Sequence, residues 1–92
     1  MEVKKDSFFG KVGKHYDLEI TVDGIFDWDQ RCYLEAHDQA GRRMLIHVTE
    51  QEESLTIKEK DSIFFRGQVL SHSTIFGITL TFVKTTSNIV KI

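Results

Sequence analysis

From Tyr16 onward apolar and polar residues take strict turns, with Tyr16, Leu18, Ile20 and Val22 on one side and Asp17, Glu19, Thr21 and Asp23 on the other. A repeat of two sends successive side chains to opposite faces, so this stretch predicts a half-buried strand and excludes an amphipathic helix. Gly24 breaks the repeat before Ile25, Phe26 and Trp28 resume it, and a glycine inside a strand pattern marks a bend or bulge. The first strand is expected to be long and sharply curved.

The same period returns along the chain. After a polar turn at Asp27–Arg31, Cys32, Leu34 and Ala36 point inward on a second strand that ends near His37. Asp38-Gln39-Ala40-Gly41 reads as a hairpin turn, with an acidic starter and a glycine able to take positive φ. A third strand, Arg42 to Val48, then turns Met44, Ile46 and Val48 inward and leaves Arg43, Leu45 and His47 on the opposite face. Thr49-Glu50-Gln51-Glu52 has capping-box spacing and predicts a short helix. Ser62 to Ser71 alternates again, Ile63, Phe65 and Val69 against Phe64, Arg66 and Gln68, so one of the adjacent Phe64 and Phe65 must lie outside. Ser71–Thr74 reads as a loop, and Ile78, Leu80 and Phe82 alternate with Thr79, Thr81 and Val83 in a fifth strand. The tail, ending in Ile89, Val90 and Ile92, is expected either to pair near residues 7–12 or to fray.

With 92 residues the chain suits one domain, taken as residues 1–92 with a core of about 12–84. Cys32 is the single cysteine, which excludes an internal disulfide and a cysteine-rich zinc site. His15, His37, His47 and His72 are too scattered for a recognised zinc spacing, so no metal and no cofactor is expected. No apolar run approaches the roughly 20 residues that span a bilayer, and the N-terminus lacks a secretory apolar core, which predicts a cytoplasmic protein. The formal net charge of -2 is not that of a dedicated nonspecific DNA binder. Its distribution is uneven: residues 15–30 hold five acids and no lysine or arginine, whereas residues 62–92 hold three such cations and no acid. Any phosphate-binding surface must therefore be local.

The order of parts, a long bent strand, a hairpin, a short helix and a second hairpin, resembles the OB superfamily of small barrels. Three segments carry the likeness: Val22-Asp23-Gly24-Ile25 with its first-strand glycine, Tyr33 to Gly41 with its apolar strand and turn, and Lys60 to Val69 with Gly67 inside a fourth strand, as in anticodon-binding and replication-protein-A-like members. Lys60-Asp61 stands where such domains often carry glycine. The resemblance implies an all-β fold, a five-stranded Greek-key OB-type barrel with one short helix between strands three and four. It also implies a ligand face on strands two and three, flanked by the loops joining strands one to two and four to five.

That face would carry Arg31, Tyr33, Arg43 and His47, with Trp28 in the first flanking loop and His72 and Phe76 in the second. Rings stack on bases and guanidinium groups meet phosphates, so the mixture suits a single strand of DNA or RNA. Plainer roles stand beside this: Trp28 could plug the barrel mouth, Tyr33 could simply be a good strand former, and Arg43 could be a solvated turn charge. The acids Asp17, Glu19 and Asp23 read as the wet side of a sheet, and no nucleophile with an adjacent base stands out, so an enzyme is not expected. Two functions remain: a nucleic-acid-binding module within a larger assembly, or a protein-protein interaction module using the barrel face or a sheet edge, with a protein partner or self-association.

Overall fold

The structure, a computed structural model, describes residues 7–49 and 56–92. Its strands are β1 (His15–Trp28), β2 (Arg31–His37), β3 (Arg43–Val48), β4 (Ser62–Ile75), β5 (Ile78–Thr85) and the two-residue β6 (Val90–Lys91). β1 pairs with β2, β2 with β3, β3 in parallel with β5, β5 with β4, and β4 returns to β1. Five strands thus close into a ring. The expected helix falls mainly on residues 50–55, outside the described residues; among the described residues there is no helix.

Closure depends on the two 14-residue strands each serving two neighbours within the ring. β1 pairs with β4 from His15 to Thr21 and with β2 from Thr21 to Trp28. β4 pairs with β1 from Ser62 to Gln68 and with β5 from Gly67 to Ile75. Each changes partner about halfway, and a strand that does so must bend. The register slips accordingly, between Val22 and Gly24 in β1 and between Val69 and Ser71 in β4. An extra residue in one strand of a pair sharpens the local twist and reverses which parity faces in. β4 therefore runs through His72 to Ile75, where the sequence had suggested a loop from Ser71.

The core follows the expected parity up to the bulges. Leu18, Ile20, Val22, Leu34, Ala36, Met44 and Ile46 are buried from the first three strands, and Ile63, Phe65 and Val69 from the fourth. Gly67 sits where an added Cβ would lie 2.8 Å from a Val83 methyl and 3.0 Å from the Lys84 carbonyl oxygen, so β4 and β5 approach closely only because that side chain is absent.

β5 turns its less apolar stripe inward. Thr81, Val83 and Thr85 are buried while Leu80 and Phe82 face out, because the threonines hold incoming chain. Thr81 Oγ1 accepts from the Phe9 amide at 2.9 Å, and Thr85 Oγ1 accepts from the Thr49 amide at 3.0 Å, which satisfies polar groups at both ends of the ring. The C-terminal tail joins neither residues 7–12 nor solvent alone: Val90 pairs with Phe64 and Lys91 with Ile63 on β4, and Ile89 is buried in the core.

Candidate aromatic ligand face

The bulge in β1 builds the site. Before it the even residues Leu18, Ile20 and Val22 point into the core; Asp23 is then the extra residue, and Phe26 and Trp28 come out on the opposite side. Trp28 is 71% exposed, so it is no plug of the ring. The Asp29–Gln30 turn that follows has both residues in the left-handed region, φ 53 and 62, the paired geometry that matches strand twist in a two-residue hairpin.

Register then places four rings together. Phe26 lies opposite Tyr33, and Tyr33 opposite His47, in one row across β1, β2 and β3. Phe26 and Tyr33 stack with centroids 5.5 Å apart and planes 18° from parallel; Tyr33 and His47 stack at 5.1 Å and 27°. Trp28 tilts against Tyr33 at 6.5 Å. Beside the row, Leu45 and Phe82 are neighbours across the parallel β3–β5 pairing. Together with Leu70 they form the apolar floor of a groove of about 460 Å³, which Arg31 and Ser71 also line.

A second and larger trough, about 1080 Å³, continues along the same face. Phe26 and Leu45 line both. Glu19, Asp23, Glu35 and Arg43 bring charge to its lining, with His37 beside them, and Met44, Ile78 and Leu80 add apolar surface. His37 Nδ1 meets the Asp23 carboxylate at 2.8 Å, and Gln39 donates to Glu19 at 3.4 Å. The hairpin below is fixed by Asp38, whose Oδ1 accepts from the amides of Ala40 and Arg42 at 3.0 and 2.9 Å while its Oδ2 takes the Arg42 guanidinium at 2.7 Å. Among the described residues the guanidinium groups of Arg31 and Arg43 have no ion-pair partner.

Of the seven residues expected from sequence, Trp28, Arg31, Tyr33 and His47 meet in the apolar groove. Arg43 lies in the charged trough instead. Phe76 stands at the tip of the β4–β5 hairpin, fully exposed with φ 51, beyond both hollows. His72 is removed from the face altogether. The Leu70 bulge turns it to the inner side opposite Thr81, where its ring stacks on Phe8 at 4.5 Å and its Nε2 meets the Phe9 carbonyl at 3.1 Å. Phe26, Leu70 and Phe82 were not anticipated. Gly24 was the available signal for Phe26, since a bulge there reverses the parity beyond it.

Beneath the rings, Cys32 is partly buried, and burial together with nearby Asp27 pushes its thiol above the usual range. Among the described residues no cluster of three or more His, Cys, Asp or Glu is placed to hold a metal ion, and no helix is long and apolar enough to cross a membrane. No protein-family model matches the chain, and no curated protein or solved structure matches it either.

Proposed function

We propose that this chain is a binding module of the OB type that holds a short single strand of DNA or RNA on the outer face of β2 and β3, as one component of a larger assembly in the cytoplasm. The observation that carries this reading is the outward row Phe26–Tyr33–His47 with Trp28 beside it, in which Phe26 and Trp28 are exposed and Tyr33 and His47 half-buried. Aromatic rings exposed on a sheet lose the burial that would stabilise them, and a flat partner restores it. The groove lies on the outer face of β2 and β3 at the end that carries the β1–β2 turn, the face on which OB domains take oligonucleotides. Arg31, without an ion pair among the described residues, supplies a guanidinium for phosphate. The carboxylates of the neighbouring trough limit the strand to a short footprint and make its affinity sensitive to salt. The reading is of a binder and not of an enzyme.

Trp28 is the single tryptophan, so its fluorescence reports on the groove alone. Titration with labelled oligonucleotides should quench it at low salt and less at high salt. Absence of any response at low salt rejects the reading. A second reading, docking to a protein, is favoured by a different surface: Phe64, Val90 and Ile92 are 44%, 58% and 68% exposed around the β4–β6 pairing. It predicts copurification with a protein that Phe64→Glu abolishes while the oligonucleotide response stays unchanged.

A further inference from the structure

The rings of the candidate face already stack on one another, and this decides where a base can go. Two rings whose centroids lie 5.1 or 5.5 Å apart with planes near parallel overlap face to face with an offset, and do not lie side by side. Tyr33 stands between Phe26 and His47, so each of its faces is partly covered by a neighbour. Its hydroxyl edge, not its π-face, is left for a ligand. The open faces belong to the ends of the row. His47 is the end next to β5, where its register partner is Lys84 and the groove floor of Leu45, Leu70 and Phe82 begins one same-face pair along.

We infer that a nucleobase docks on the open face of His47, above the Leu45–Leu70–Phe82 floor, and that Tyr33 is a positioning residue that sets the tilt of His47 rather than a platform for a base. This rests on the nucleic-acid reading and narrows it. The floor is apolar apart from Ser71, whose hydroxyl can meet a base edge, while Arg31 lines the groove and Lys84 lies opposite His47 on β5, within reach of a phosphate. The site is thus built for a flat, largely apolar group with one polar edge. A groove of about 460 Å³ falls within the range of small-ligand pockets, roughly 300–1,000 Å³, and has room for a base with its sugar.

The test is an NMR titration of the intact chain with an oligodeoxyadenylate of about eight nucleotides at low salt, following the ring protons of His47 and Tyr33. Adenine stacked on His47 shifts its Hδ2 and Hε1 upfield and moves the Tyr33 ring protons much less. In parallel, His47→Ala should weaken binding about tenfold or more, and His47→Phe, which keeps an aromatic face, should restore it. Larger shifts at Tyr33 than at His47, or parental affinity in His47→Ala, overturn the inference and leave the nucleic-acid reading standing. No shift of any groove proton rejects that reading and the inference with it.

Discussion

The two halves of the outer face share strands, direction and even two residues, Phe26 and Leu45, yet differ in chemistry. One half presents Trp28, Tyr33 and His47 over an apolar floor; the other presents Glu19, Asp23, Glu35 and His37. The dividing line is the bulge at Asp23. Before it β1 sends acids outward, Asp17 and Glu19, and after it sends aromatics, Phe26 and Trp28. One inserted residue therefore turns a strand whose outer side carries acids into one whose outer side carries aromatic rings, with the core side kept apolar up to Val22.

Deleting Asp23 should have the largest effect. Without the extra residue the parity beyond Val22 is not reversed, Phe26 and Trp28 are driven toward the interior, and the face loses both rings. The quench of Trp28 by oligonucleotide is expected to vanish, and urea unfolding should show stability lowered by about 1–3 kcal/mol from overpacking. A deletion variant that binds like the parent would break the comparison between the two halves.

Next in size, Tyr33→Ala removes the ring that holds His47 in place and should weaken oligonucleotide binding by up to about 1–3 kcal/mol, the scale of the stack on His47 that it positions. Pairing it with Arg43→Ala sharpens the contrast. Arg43 lies in the charged trough, so fluorescence titration should show the second substitution adding little to the first. An additive loss from Arg43→Ala would instead extend the footprint across both halves.

Glu35→Gln acts from the other side. Glu35 is exposed and sits directly opposite Leu45, at the border of the two hollows. Removing its charge should tighten binding by a few tenths of a kcal/mol to about 1 kcal/mol at low salt, and the gain should disappear in 0.5 M salt, beyond roughly one screening length. Equal gains at both salt concentrations would exclude a charge effect.

The smallest expected effect concerns Cys32, under the aromatic half. Its raised thiol pKa favours the protonated form, so its contribution to stability is complete below the ordinary thiol value and is lost as pH rises through the raised one. Alkylation by iodoacetamide at pH 8 should be slower in the folded chain than in urea. Equal rates would mean that neither burial nor Asp27 bears on the thiol.

The interior was largely legible. Leu18, Ile20, Val22, Leu34, Ala36, Met44 and Ile46, with Ile63, Phe65 and Val69, are all buried as their alternation requires, since a repeat of two admits one apolar face. The site was legible only in part. Tyr33 and His47 lie on uninterrupted strands, where parity carries through, and Trp28 comes from the turn-proximal end of β1. Phe26 and His72 lie beyond bulges, and parity counted through a bulge comes out wrong. In β5 alternation left the inward stripe open: Ile78, Leu80 and Phe82 are the more apolar, yet Thr81 and Thr85 are buried, bonded to Phe9 and Thr49, residues distant in sequence.

By itself the sequence determined that the chain is built from alternating strands around one apolar interior, because side-chain parity is a local property of extended backbone. Which strands became neighbours, where β1 and β4 had to slip to change partners, and so which rings came to stand in one row were decided by the tertiary structure. Register is a relation between two strands, and no single segment contains it.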